Sequence, residues 1–384
     1  TCRTAKVSRF PRTLQCQADA AVRVQPQQPR PSLAPVTFDL LAHTTDQFRA
    51  EARGWFADGE KGEGLAARLH RQALRHGEFE PERCGAGPRS AQVYRERATL
   101  QLPEPVGFAS EPGPHGPIEK RLLRLADGAV IECVRLPMGR GRSTLCVSSQ
   151  VGCARACTFC ETGRMGLVRN LTTAEIVGQV VLAARERRPD ALVFQGMGEP
   201  LDNLSALLPA LAVLGERNGL GYAQERFTVC TVGHVPGIDA LRELGWKRLN
   251  LALSLTTADE ALRARLMPRS VRYSLGEIRA ALVRFRQRRN LALCVHVCLL
   301  PGINDGPDEA RAIAAFCAPL GRVLVHVIPY NPGTEPITRA PHDAEVDAFV
   351  AQLRTAGLAV RRRLTKGRSV MAGCGQLGAQ AQPS

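Results

Sequence analysis

The chain has 384 residues, 44% of them hydrophobic, which is enough for one large packed domain or a large domain with a small companion. It contains no run of about 18 apolar residues, which argues against a membrane span. Lys and Arg number 51 against 36 Asp and Glu, and the resulting charge of +15 favours polyanionic partners, nucleic acid first among them. An arginine-rich proteome would raise the charge without any such partner.

The segment 1–36 is rich in Gln, Pro and Arg, lacks periodicity, and reads as a flexible tail. It carries Arg3, Lys6, Arg9 and Arg12 but no apolar signal stretch, so a soluble, cytoplasmic protein is expected. Opening at Thr1 and not at Met suggests a misassigned or processed start. Residues 37–101 turn helical, with Phe48, Trp55, Phe56, Leu65, Leu69 and Leu74 at helical spacings, and form a candidate accessory domain for RNA docking. Residues 102–142 read as a linker and β element. The Pro- and Gly-rich stretch Leu102–Pro117 suggests exposed loops, and two strands follow around a turn at Asp127-Gly128.

From Ser143 to Leu377 short β-branched runs alternate with helical segments in about six βα units. Such alternation implies a parallel sheet, either open or closed into a partial barrel, with its chemistry on loops after the carboxyl ends of strands. Residues 378–384 form a short tail.

Thirteen cysteines without a secretion signal point to metal or thiol chemistry and away from a disulfide scaffold. Cys2, Cys16, Cys84 and Cys317 stand in unremarkable contexts, and Cys294 and Cys298 belong to the apolar run LALCVHVCLL; all six are expected to be core or bystander residues. Cys153, Cys157 and Cys160 differ. They form a C-x3-C-x2-C triplet after the first strand of the regular region, with Phe159 before the last cysteine. A four-iron cluster offers four corners, and three local thiolates leave one iron free for a substrate. Structural zinc is the alternative, but it needs a fourth ligand, and no second cysteine pair stands nearby.

The triplet resembles the radical SAM signature. The ordered segments LCVSSQVGC, FQGMGEPLDN, ALSL, LPGIND, IPYNP and CGQL resemble the RlmN/Cfr family of radical SAM RNA methyltransferases, over roughly Leu123 to Leu377. The resemblance implies a partial (βα)6 barrel with a small helical N-terminal domain. It also implies a [4Fe-4S] cluster on Cys153, Cys157 and Cys160, and two S-adenosylmethionine molecules per turnover. Cys374 would carry a methyl group, and the 5′-deoxyadenosyl radical would abstract hydrogen from it. The resulting carbon would add to carbon 2 or carbon 8 of an adenosine in ribosomal RNA, or in transfer RNA. Cys146 would release the product by forming a disulfide with Cys374, and Glu132 would take the proton. Gly198, Glu199, Cys230, Ser254, Leu255, Thr256 and Asn331 match the family's S-adenosylmethionine contacts. A flavodoxin-type electron donor and a monomeric state are further expectations.

Several positions depart from the family pattern. Cys230 stands where Ser is usual, Thr256 replaces His, and Ser369–Gly373 replaces an acidic run. One residue is inserted in the Met138–Arg142 loop before Cys146. For phosphate contacts, Arg361, Arg362, Arg363, Lys366 and Arg368 flank Cys374, whereas Arg284 to Arg289 read as a solvated helix face. The rival readings are a radical SAM enzyme for a non-RNA substrate and a non-catalytic RNA-binding metalloprotein.

Overall fold

The computed structural model describes residues 37–56, 59–270, 272–286 and 293–378, so the expected tail 1–36 and most of 378–384 lie outside the described residues. Ten strands form one sheet in strict chain order: β1 (Glu104–Glu111), β2 (Ile118–Arg124), β3 (Val130–Gly139), β4 (Arg142–Val147), β5 (Ala191–Phe194), β6 (Phe227–Thr231), β7 (Asn250–Ser254), β8 (Leu293–Leu299), β9 (Val323–Pro329) and β10 (Ala359–Arg362). Neighbours from β1 to β4 pair antiparallel, and those from β4 to β10 pair parallel. Helices cross between the parallel strands, as such connections require. The architecture is therefore a partial βα barrel of the expected kind, extended at its first edge by an antiparallel meander.

Two of the crossover helices start at capping boxes written in their sequences. In α4 (Thr173–Glu186), Thr172 caps the Glu175 N–H while Glu175 bonds back to Thr172. In α8 (Leu275–Phe285), Ser274 and Glu277 do the same. The helices cover one face of the sheet, and the apolar positions of the strands meet them. In β8, Leu293, Val295, Val297 and Leu299 join the main core, while Cys294, His296 and Cys298 alternate toward the barrel interior. Each fully buried aliphatic side chain contributes about 1.5–3 kcal/mol of transfer free energy.

Two parts of the sheet differ from expectation. The supposed loop Leu102–Pro117 contains β1, whose seven register pairs with β2 make it the edge strand. Its exposed face and Pro105 hid it, and a register shift between Pro105 and Gly107 marks a bulge of the kind that blunts sheet edges. A seventh parallel strand, β10, lies beyond the six expected units; its AVRR sequence shows little apolar alternation because it sits on the other edge.

The N-terminal helices α1 (Thr45–Arg53), α2 (Gly59–His76) and α3 (Pro88–Arg97) bury their own small core of Leu40, Phe48, Ala52, Leu69 and Tyr94. They dock on the loop after α5 (Leu204–Gly215): Glu216 accepts from the Thr45 N–H at 2.8 Å, and Asn218 donates to the Ala67 carbonyl at 2.9 Å.

Candidate active site

The cysteine triplet occupies the loop after β4. Strand segments Gln150–Gly152 and Leu167–Asn170 pair across its base, and the Cys153 N–H donates to the Gly166 carbonyl at 2.8 Å. A single helical turn, Glu161–Arg164, closes the loop. Gly163 lies so near it that a Cβ there would come within 2.9 Å of the Cys157 nitrogen. Ala156, inside the triplet, has φ 52°, a left-handed conformation uncommon outside glycine.

All three thiols line one cavity. Burial pushes each above its usual pKa, Cys153 to about 12, and the sulfurs lie close enough to raise one another. A buried set of this kind ionises only when a cation compensates it. Among the described residues, no three His, Cys, Asp or Glu side chains converge tightly enough to hold a single metal ion. Three thiols on one cavity wall suit a cluster whose irons each take a separate sulfur. Three thiols from one short loop fit a cluster with one iron left for a small molecule.

The opposite wall comes from loops after β5, β6 and β7. Gly198 has φ 99°, and a Cβ on it would lie 2.6 Å from the Cβ of Gln150. Only glycine lets this loop approach so closely. Glu199 is buried; its carboxylate accepts the N–H groups of Val232 at 2.9 Å and Leu201 at 3.2 Å. Burial nevertheless raises its pKa to about 7. Cys230 donates to Gln195 Oε1 at 3.4 Å, and Ser254 and Thr256 complete the wall. Thr256 has φ 62°, strained for a β-branched residue. Such strain clusters at functional loops.

Cys374 enters the cavity from a C-terminal loop tied down on several sides. Lys120 donates to the Met371 carbonyl at 3.1 Å, Glu111 accepts the N–H groups of Gly367 and Ser369, and Thr162 donates to the Leu377 carbonyl. Met371 in this loop has φ 51°. Cys374 is exposed, while Cys146 is half-buried on β4, off the cavity wall but within electrostatic reach of Cys374.

Other singled-out residues sit elsewhere. Glu132 is fully buried on β3, 3.5 Å from Lys120 Nζ, and does not line the cavity. The Leu255 side chain is in the core. The Asn331 amide donates to the Cys374 carbonyl at 3.2 Å and accepts from Arg368, so it holds the loop instead of facing the cavity. The basic cluster is largely spent internally. Arg362 pairs with Asp343 and Asp347, Lys366 donates to the Pro137 carbonyl, and Arg368 donates to Tyr330 and Asn331. Arg361 remains exposed. Arg284 pairs with Asp239 at 2.7 Å, in keeping with a solvated helix face; residues 287–289 lie outside the described residues.

Residues not anticipated also line the cavity: Arg155, Gln195, His296 and Cys298. Cys298 is thus a wall residue and not a bystander, and its thiol is raised by burial and then by Cys374 and Cys160. Cys84 and Cys317 remain away from the cavity, and Cys2 and Cys16 lie outside the described residues. Arg155 pairs with Asp202 through Nε at 2.8 Å, and buried Arg263 donates to the carbonyls of Leu255 and Val232, bracing two of the loops.

Comparison with known proteins gives the following. The radical SAM superfamily profile matches residues 147–316. A probable RNA methyltransferase of Sorangium cellulosum is 44% identical over 267 residues, covering 68% of this chain and 66% of that protein. The dual-specificity RNA methyltransferase RlmN of Syntrophotalea carbinolica is 40% identical, covering 67% of this chain and 69% of that protein. RlmN of Nitratidesulfovibrio vulgaris is 42% identical, covering 67% and 73%. The crystal structure of a radical SAM methyltransferase from Sphaerobacter thermophilus superposes with a TM-score of 0.81 at 31% identity, covering 90% of this chain and all of that one.

Proposed function

We propose that this chain, which belongs to the RlmN family of radical SAM RNA methyltransferases, methylates a ring carbon of an RNA adenosine through a methyl group carried on Cys374. The observation that carries the reading is that Cys374 opens into the same cavity as Cys153, Cys157 and Cys160. Those three thiols would hold a [4Fe-4S] cluster, and Gly198, Glu199, Ser254 and Thr256 would hold S-adenosylmethionine against it. Bound there, cluster and S-adenosylmethionine supply the one-electron chemistry that an unreactive purine carbon requires.

The chain's own groups do the rest. Glu199 offers a buried carboxylate for the methionine ammonium, and Gly198 lets backbone approach the ligand. Cys374, as a thiolate, would take the methyl group from a sulfonium, whose C–S bond breaks and which leaves as a neutral thioether. After its carbon has joined the base, the Cys146 thiolate attacks the Cys374 sulfur, and the S–C bond breaks as the S–S bond forms. The electron pair leaves with the carbon, which takes up a proton to become methyl on the RNA, and an external thiol reductant returns the disulfide to two thiols. Burial raises the Cys146 thiol above its usual pKa, so its proton must be taken up before that attack. Glu132 keeps the role of proton acceptor only if Lys120 moves or relays, since the two are paired at 3.5 Å. A second S-adenosylmethionine per turnover, carbon 2 or carbon 8 as the target, ribosomal or transfer RNA as substrate, a flavodoxin-type donor, and a cytoplasmic monomer complete the reading.

The test is an anaerobic assay of reconstituted enzyme with methyl-labelled S-adenosylmethionine and unmodified RNA. Label should appear on Cys374 and then on adenosine. Cys374→Ala should lower methylation at least about a thousandfold. Cys146→Ala should accumulate a covalent protein–RNA adduct, and free turnover by that variant would remove its assigned role.

A further inference from the structure

We propose that His296 recognises a purine in this cavity, its imidazole hydrogen-bonding the adenine edge of S-adenosylmethionine or of the target nucleotide. The inference rests on the methyltransferase reading, under which two adenine rings meet in one cavity. His296 sits mid-way along β8, in register with Ser254 on one side and His326 on the other. It lines the cavity with Cys230, Ser254 and Cys298, yet only 3% of the residue is exposed. Its Nδ1 is buried and has no hydrogen-bond partner. Native interiors leave few such atoms unpaired, and one on a cavity wall asks for a ligand.

Two other polar groups of the cavity wall are already engaged. Glu199 binds two backbone N–H groups, and Cys230 binds Gln195. The imidazole is also held in advance. His326 stacks on it with centroids 5.3 Å apart and planes 14° apart, and Arg363 Nε reaches the far ring's Nδ1 at 3.4 Å. The His296 carbonyl accepts the N–H groups of Leu255 and Thr256 at 3.0 and 3.1 Å, which ties the strand to the neighbouring cavity loop. Burial, reinforced by Arg363, keeps the ring neutral, with one N–H and one bare nitrogen. An adenine edge offers Nδ1 a partner in either tautomer, its amino group as donor or a ring nitrogen as acceptor. A residue serving only to pack would need no nitrogen at this place.

The test compares His296→Leu and His296→Asn with wild type in the reconstituted holoenzyme. The readouts are S-adenosylmethionine binding without RNA, KM and kcat on RNA, and thermal melting. Loss of the nitrogens should weaken one binding event about tenfold. Weaker S-adenosylmethionine binding assigns the contact to the cofactor's adenine. A raised KM for RNA with unchanged S-adenosylmethionine binding assigns it to the target's. Asn, which keeps a donor and an acceptor, should recover most of the loss. If Leu leaves both binding events within twofold, or Asn does no better than Leu, the histidine only packs and the proposal falls. His296→Phe, which keeps the stack on His326 but has no nitrogen, replaces Leu if that variant does not fold. Wild type that forms neither deoxyadenosine nor methylated adenosine would count against the methyltransferase reading; active wild type with an indifferent His296 would count against this inference alone.

Discussion

Two residues of the MGEP loop give the sharpest expectations. At Gly198, φ 99° and a 2.6 Å approach to Gln150 Cβ both exclude a side chain. Gly198→Ala should therefore cost about 1–3 kcal/mol of stability and weaken S-adenosylmethionine binding at least about tenfold, read by melting and equilibrium binding. Glu199 has a pKa raised to about 7 by burial. A ligand ammonium favours its ionised form, so S-adenosylmethionine binding should be full above pH 7 and fall about tenfold per unit below it. The stability effect has the opposite sense. A carboxyl whose folded pKa lies above its unfolded value of 4.5 costs nothing below pH 4.5 and progressively destabilises the fold as pH rises through 7. Glu199→Gln should thus melt higher than wild type at pH 8, match it near pH 4.5, and lose the pH dependence of binding.

The C-terminal loop shows how elements, more than single side chains, place Cys374. Glu111 on the edge strand β1 accepts from Gly367 N, Ser369 N and Ser369 Oγ, so a strand distant in sequence anchors the thiol-bearing loop. Glu111→Ala should leave S-adenosylmethionine binding intact but slow methyl transfer to Cys374 several-fold, with faster amide exchange over residues 367–377. This coupling was not legible in the sequence, where β1 passed for a loop because an edge strand needs no apolar alternation on both faces. The parallel strands β4 to β9 were legible, since each is buried against helices and reads as a short β-branched run. So were the triplet, the MGEP loop and Cys374, whose spacing or context is unusual. The β8 wall was misread. LCVHVCL alternates apolar and polar positions, and treating it as one apolar run hid His296 and Cys298. Asn331 and Glu132 carried motif signals, but the pairing of Asn331 with Arg368 comes from a later loop, and that of Glu132 with Lys120 from the register of the β2–β3 hairpin.

At the scale of the molecule, charge and fold act on different ligands. The chain carries +15, yet many of its arginines are paired: Arg121 with Glu186, Arg169 with Asp127 and Glu175, Arg362 with two aspartates. The excess that remains acts as a field over the surface, while the cavity is lined by thiols, hydroxyls, one buried carboxylate and the side chains of Arg155, Gln195 and His296. A field of this sign favours a polyanion, and RNA, the substrate named for the chain's relatives, is one. RNA affinity should then fall steeply with salt, because neutralised phosphates release counterions; raising salt from about 50 to 200 mM should weaken it at least about tenfold. S-adenosylmethionine, held by buried short-range contacts, should bind almost unchanged over that range. Filter binding and equilibrium dialysis at matched salt separate the two, and an RNA affinity indifferent to salt would mean that the basic surface takes no part in substrate capture.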